Sequence, residues 1–398
     1  MDNSDYIRLA EAHSARNYLP LPVVLAKGDG VWVEDVEGKR YLDMLSSYSA
    51  LNQGHRHPKI LAAMQEQMGR LCLTSRAFHH DTFGPFCKTV TEACGMEQIL
   101  PMNTGAEAVE TAIKLARRWG YTKKGVPAGK AEIIVCDNNF HGRTTTIVGF
   151  SSEKLYNDGF GPFTPGFTMI PYNDATALEQ AITPNTVAFM VEPIQGEAGI
   201  RVPTDGFLST VRDVCTRNNV LLMTDEIQTG LGRTGRLFCY EYDGIKPDVL
   251  IVGKALGGGC FPVSGALASK ELMSVFTPGN HGSTFGGNPL ACAVGKAAVE
   301  VIIEEKLPEN SYKLGEYLRG ELAKMNSRHV AEIRGKGLFV GVDIRPESGP
   351  ARGFCEKLMG LGVLAKETHG TVIRFAPPLI ITKTDLDWAL ERIARVLK

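Results

Sequence analysis

Long apolar runs are missing from this chain. No stretch of about 18 apolar residues occurs, so no segment is expected to span a bilayer as a helix. The longest weakly polar stretch, Val249 to Ala268, is interrupted by Lys254 and several glycines. An excess of one charge is also lacking: 43 Lys and Arg stand against 44 Asp and Glu, a net charge of −1. That balance gives no electrostatic case for nucleic acid or an anionic membrane. The nine cysteines include no pair at CxxC spacing, and their number is odd. Both facts argue against a zinc site and a secreted disulfide framework. Most of the cysteines read as small buried hydrophobes in a reducing compartment. The first residues carry Asp2, Asp5 and Glu11 without an apolar core, so neither a signal peptide nor an Arg-rich transit peptide is expected. Internal repeats and low-complexity tracts are absent. A cytoplasmic enzyme is the simplest expectation.

The 398 residues are enough for roughly two or three domains. In the middle of the chain, short apolar runs alternate with helix-length segments. Glu132–Cys136, Val187–Val191, Val220–Thr224 and Val249–Val252 read as strands, and Ala106–Trp119 and Phe207–Arg217 as helices. Strands that are apolar throughout imply a parallel sheet covered on both faces. Ligands of such sheets lie beyond the carboxyl ends of the strands. Before this region, residues 30–43 read as a hairpin turning at Glu37-Gly38. After it, helices (Ser311–Met325, Asp385–Val396) mix with short strands (Leu338–Val342, Val372–Phe375), the pattern of a smaller α+β domain.

The chemistry-bearing residues gather where strands end. One apolar run ends on Asp225, and the next is followed by Gly253-Lys254 and a Gly-rich stretch. A lysine ending a buried strand needs a partner or a covalent task. An acid on one strand and a lysine on the next suit a pyridine cofactor. The lysine would bond its aldehyde, and the acid would pair with the ring nitrogen. A structural ion pair at the sheet edge is the plainer reading of the two residues alone. Asn103-Thr104-Gly105-Ala106 opens a helix whose free N–H groups would suit a phosphate, although plain N-capping is the commoner use of such a turn.

Phe140 and Arg143 follow the strand ending at Cys136. Glu197 follows the strand ending at Val191, and Arg374 comes from the C-terminal region. An aromatic at the sheet edge can stack on a pyridine ring, and guanidinium groups bind carboxylates bidentately. Gly230-Leu231-Gly232-Arg233-Thr234-Gly235 matches GxGxxG literally. It neither follows a strand directly nor opens a helix, so a dinucleotide site is not expected. His55, His57, His79 and His80 lack the i, i+4 spacing of a zinc helix. No metal is expected.

Taken together, these residues resemble the class III aminotransferases of pyridoxal-phosphate fold type I. The resemblance runs from about Tyr18 to the C-terminus and is most specific over residues 224–235, Pro247-Asp248 and residues 253–256. Within the class, residues 17–22, 46–55 and 374–379 are most similar to the ornithine-type members. The resemblance implies an α/β fold: a large domain with a mostly parallel seven-stranded sheet and a small α+β C-terminal domain. Its boundaries would fall at residues 1–47 (arm and hairpin), 48–290 (large domain) and 291–398 (small domain). It implies pyridoxal 5'-phosphate as cofactor. Lys254 would be its covalent lysine, Asp225 would face the ring nitrogen and Gln228 the phenolic oxygen. Phe140 would stack on the ring. Gly105 and Ala106 would hold the phosphate, joined by Ser283 and Thr284 from the other subunit of a homodimer or dimer of dimers. Tyr18, Tyr48, Arg143, Glu197 and Arg374 would bind substrate, with Glu197 masking Arg374 when ornithine enters. The family often has tryptophan or tyrosine where this chain has His141, which leaves the role of His141 open. The reaction implied is transfer of the δ-amino group of L-ornithine to 2-oxoglutarate. N-acetylornithine or 4-aminobutyrate as donor is the nearest alternative, and a non-catalytic cofactor-binding homologue a more distant one.

Overall fold

The computed structural model describes residues 1–398. At its centre is a seven-stranded sheet. The strands lie in the order Gln98–Met102, Ser264–Ala268, Val249–Val252, Leu221–Asp225, Thr186–Val191, Glu132–Cys136 and Phe167–Ile170. Ser264–Ala268 runs antiparallel to both neighbours. All other neighbouring pairs are parallel. Four of the central strands are buried at every residue. This is why Val187–Val191, Leu221–Met223 and Val249–Val252 read as unbroken apolar runs rather than alternating ones. Their side chains divide between two cores: Ile134, Phe189, Leu222 and Leu250 face one, and Ile133, Met190, Met223 and Ile251 the other.

The helix Gly105–Trp119 covers one face. Thr104 and Glu107 form a reciprocal capping box at its start, with Glu107 N to Thr104 Oγ1 at 3.3 Å and Thr104 N to Glu107 Oε2 at 2.7 Å. Ala108, Ala112, Leu115 and Trp119 turn inward at helical spacing.

The C-terminal unit carries an antiparallel sheet ordered Val330–Lys336, Phe339–Ile344, Val372–Phe375 and Lys366–Thr368. The helices Leu307–Lys324 and Ala351–Gly360 pack on it, and Lys383–Leu397 packs on those two helices. The N-terminal hairpin is part of a third sheet, in which Arg40–Asp43 pairs in parallel with Val363–Leu364. The first and last parts of the chain are therefore joined directly. No helix is long and apolar enough to cross a membrane.

Several elements had no clear sequence signal. Gln98–Met102 contains Pro101, which an edge strand tolerates and a central one does not. Ser264–Ala268 is built of small residues and is recognisable only by its buried position. Pro289–Glu304 is buried around most of its circumference, so it lacks an amphipathic period. The helix Asn3–His13, in contrast, buries no residue at all.

The candidate active site

A cavity of about 200 Å³ opens at the carboxyl ends of the central strands. Its wall includes Gly105, Ala106, Phe140, Asp225, Gln228 and Lys254. Strand ends deliver Asp225 directly, and Lys254 two residues past Val252. Lys254 takes the left-handed backbone conformation, φ 47°, which is uncommon for a residue with a side chain. Its ammonium forms neither a hydrogen bond nor an ion pair within the protein. Burial pushes its pKa down, because a low-dielectric surrounding disfavours the charged amine.

Asp225 lies on the cavity floor. Its Oδ1 accepts from Ile227 N at 3.0 Å, and its Oδ2 accepts from His141 Nδ1 at 2.6 Å. Both partners of that pair are buried. Burial works against the imidazolium, but the Asp225 carboxylate outweighs it and raises the His141 pKa. The Nε2 of His141 is buried without a partner. This answers the question left by the sequence: His141 stands behind Asp225 and holds its carboxylate. Nearby Glu192 is buried, accepts from Phe140 N at 2.8 Å, and is pushed by burial up to about 7.

Above the floor, Arg374 and Glu197 form a bidentate pair, Nη1–Oε1 2.8 Å and Nη2–Oε2 2.9 Å. Arg374 is only 1% exposed. Burial alone would raise the Glu197 pKa, but the charge of Arg374 and its two hydrogen bonds hold it at about 2. Gln228 Nε2 bridges Glu197 Oε1 and the Tyr48 carbonyl, each at 3.3 Å. The backbone at Gly196 makes room for this: a Cβ there would lie 1.7 Å from Gln228 Oε1. The Arg374 guanidinium sits over the Tyr48 ring, 5.1 Å from its centroid.

Arg143 is exposed, forms no ion pair, and stacks on Tyr156 at 3.7 Å from the ring centroid. With Tyr18 and Tyr156 it lines an adjoining depression of about 280 Å³. Tyr18 is 75% exposed. Ser283 and Thr284 lie outside the central cavity. Ser283 Oγ accepts from Asn103 Nδ2 at 2.9 Å, beside the start of the Gly105–Trp119 helix, and Thr284 is exposed.

Tyr48 belongs to an unusual turn. Ser46, Ser47, Tyr48 and Ser49 have φ values of 52°, 46°, 61° and 72°, one turn of left-handed helix without a glycine. Each such residue costs about 1–2 kcal/mol, or roughly 4–8 kcal/mol for the four. The sequence shows no trace of it.

The GxGxxG segment has a structural use. Arg233 is fully buried and donates to Leu338 O (2.9 Å), Pro377 O (2.7 Å) and Asn52 Oδ1 (2.6 Å). Burial brings its pKa down to about 9. It fastens the large sheet's loop to the C-terminal unit. The histidines are also tied up locally: His55 with Asp43 (2.8 Å), His57 with Glu305 (2.9 Å), and His80 with Gly287 O (3.0 Å).

The cavity suits an anionic, planar, aldehyde-bearing ring. It offers an unpaired amine (Lys254), a carboxylate backed by a histidine (Asp225), and the N-terminus of a capped helix whose first N–H groups have no intrahelical acceptor. The chain is a member of the class III aminotransferases; the match to "Aminotransferase class-III" covers residues 13–397. Within that family it is 59% identical over 393 residues to the ornithine aminotransferase of Geobacillus sp. (strain WCH70), covering 99% of this chain and 98% of the relative. The ornithine aminotransferase structure from Toxoplasma gondii, described with partial occupancy of PLP at its active site, superposes with a TM-score of 0.98 at 44% identity, covering 99% of this chain and 94% of that one. The acetylornithine aminotransferase structure from Elizabethkingia anophelis gives 0.91 at 47% identity, covering 100% and 99%.

Proposed function

We propose that this chain is a pyridoxal-phosphate-dependent ornithine δ-aminotransferase, giving glutamate 5-semialdehyde and glutamate from L-ornithine and 2-oxoglutarate. The observation that carries the donor assignment is the closed Glu197–Arg374 pair beside Lys254, with unpaired Arg143 some way out. One pocket must accept two substrates whose charges differ at the reacting end. With the latch closed, Arg374 is neutralised, and ornithine enters with its δ-amine first. Its carboxylate goes to Arg143, and its α-amino group to Tyr18. A dicarboxylate carries its own anion to Arg374, displaces Glu197 and uses both arginines.

Pyridoxal phosphate, when bound, supplies an aldehyde that takes up the amine and a ring that accepts electrons from the substrate carbon. The remaining steps fall to side chains. Asp225, held by His141, keeps a proton on the facing nitrogen. Lys254 Nζ would hold the cofactor covalently and, as a neutral amine, would take a proton from the substrate carbon and give it back as general base and then acid. Its depressed pKa suits that task. Gly105 and Ala106 N–H groups would hold the phosphate, Gln228 would face the phenolic oxygen and Phe140 would cover the ring. Ser283 and Thr284, presented at the molecular surface, complete the phosphate site of a second subunit in a homodimer.

The similarity to an acetylornithine aminotransferase keeps one second reading in view. Tyr18 and Tyr48 favour a free α-amino group at the far end of the donor. A panel of ornithine, N-acetylornithine and 4-aminobutyrate with 2-oxoglutarate decides. Ornithine should give the largest kcat/KM; an equal or greater value for N-acetylornithine refutes the assignment.

A further inference from the structure

The left-handed turn Ser46–Ser49 stands at the substrate end of the cavity, and its hydrogen bonds show what keeps it there. Asp43 Oδ1 accepts from Leu45 N (2.9 Å) and Ser46 N (2.8 Å), the two amides that lead into the turn. Asp43 Oδ2 accepts from His55 Nε2 at 2.8 Å. His55 is pinned in turn by a backbone pair with Gly30, His55 N to Gly30 O at 2.7 Å and Gly30 N to His55 O at 3.0 Å. Gly28 leaves the space for its ring, since a Cβ there would lie 2.8 Å from His55 Nδ1.

The turn is also stitched to the elements that carry the site. Met44 O accepts from Ala376 N (2.7 Å) and Asn52 O from Leu379 N (2.8 Å), on either side of the turn and just past Arg374. Gln53 Nε2 donates to Ala255 O at 2.9 Å, the residue after Lys254. Within this frame the turn offers the Tyr48 carbonyl to Gln228 and the Tyr48 ring to Arg374. Ser46 Oγ and Ser49 Oγ are buried without partners, so the serine hydroxyls do not stabilise the turn. Four consecutive non-glycine residues in this conformation persist only when their surroundings over-determine them, and such strain clusters at functional sites.

The geometry points to Asp43, oriented by His55, as a positioning residue that clamps the left-handed turn and so fixes Tyr48 against Arg374 and Gln228. The consequence for donor choice rests on the reading of Glu197–Arg374 as the substrate latch; the clamp itself does not. Without the carboxylate, the amides of Leu45 and Ser46 lose their acceptor and the turn can relax toward right-handed backbone. Tyr48 then leaves the guanidinium, and the latch loses one wall.

The test is a second-site rescue on the cofactor-loaded enzyme. Asp43→Ala should lower kcat/KM for ornithine by roughly 10–100-fold, the scale of a misplacement transmitted to a site from outside it. It should also lower the thermal midpoint. Ser47 is exposed, and Ser47→Gly removes the steric cost of its left-handed backbone. Alone, Ser47→Gly should leave turnover unchanged. Added to Asp43→Ala, it should restore most of the lost midpoint and at least about a third of the lost logarithm of kcat/KM, because the turn then needs less clamping. Where Asp43→Ala gives no folded protein, Asp43→Asn, which keeps an acceptor for the two amides but weakens the His55 link, serves in its place. A double variant no better than Asp43→Ala in either midpoint or kcat/KM overturns the clamp. So does wild-type behaviour of both Asp43 variants. The midpoint arm needs no substrate, so its outcome bears on the clamp even if ornithine proves not to be the donor.

Discussion

Replacing Glu197 by Gln tests the latch with the smallest change of shape. Glu197 accepts two hydrogen bonds from Arg374, at 2.8 and 2.9 Å. The amide can accept only one of them, because its NH2 group faces guanidinium donors. The magnitude follows from the carboxylate itself. Its pKa falls from 4.5 to about 2, and at 1.36 kcal/mol per unit this corresponds to about 3 kcal/mol favouring the ionised, paired form. That agrees with the ~2–5 kcal/mol typical of breaking a buried hydrogen-bonded charge pair. If half of it appears as discrimination, the ratio of ornithine to glutamate kcat/KM should fall about tenfold. The mechanism is specific: uncovered Arg374 draws the α-carboxylate of ornithine and presents the wrong amine. Because the folded-state pKa is depressed, the stabilising charge is present above the ordinary carboxylate range and is lost only as pH falls through about 2. The wild-type donor ratio should therefore not track Glu197 titration between about pH 5 and pH 8. Single-turnover kinetics with ornithine, glutamate and 4-aminobutyrate, one donor at a time, measure this. An equal loss for all three donors would refute the latch and leave Glu197 a mere support of the pocket.

Four further outcomes follow from the site. Lys254→Ala should keep the fold and abolish turnover; normal turnover, with a borohydride-reducible link at another lysine, would remove Lys254 from the mechanism. Asp225→Asn should cost about 3–5 kcal/mol, the penalty of removing one member of a buried charge pair, which is roughly two to four decades in rate. His141→Asn, which leaves the Asp225 carboxylate in place, should cost less, and a reversal of that order in stopped-flow rates would contradict the arrangement. Ser283 and Thr284, if they complete a second subunit's phosphate site, require a dimer, and sedimentation of a fully active monomer at assay concentration would exclude it.

The strands were legible because physical chemistry writes them plainly. Val249–Val252 and Ile133–Cys136 are buried on both faces, so their sequences are apolar without interruption. Asp225 and Lys254 could be found by the same route, as charges at the ends of such runs. The elements that escaped have chemical reasons for silence. Pro101 argues against a strand unless the strand is known to be an edge, and Pro289–Glu304 is too buried to show a polar face. Within the site, Arg374 meets Glu197 only because the antiparallel C-terminal sheet brings its strand to the carboxyl edge of the central sheet, a relation that the sequence pattern alone did not establish. His141 gave one weak signal, its place beside Phe140 after a strand end. The left-handed turn gave none, since serine and tyrosine are not residues that announce positive φ.

The pairing of Arg40–Asp43 with Val363–Leu364 has a consequence for how the molecule comes into being. A ribosome delivers the hairpin first and its parallel neighbour near the end. Asp43, Met44 and the turn that follow on the hairpin wait, during synthesis, for Val363 to Phe375 to emerge. Contacts of such long sequence separation carry a large loop-closure cost and form late. The central sheet can assemble on the growing chain, but the wall bearing Tyr48 and Arg374 cannot. A chain that ends before Val363 lacks both the parallel neighbour of Arg40–Asp43 and Arg374, so it contains Lys254 and Asp225 but no Glu197–Arg374 pair.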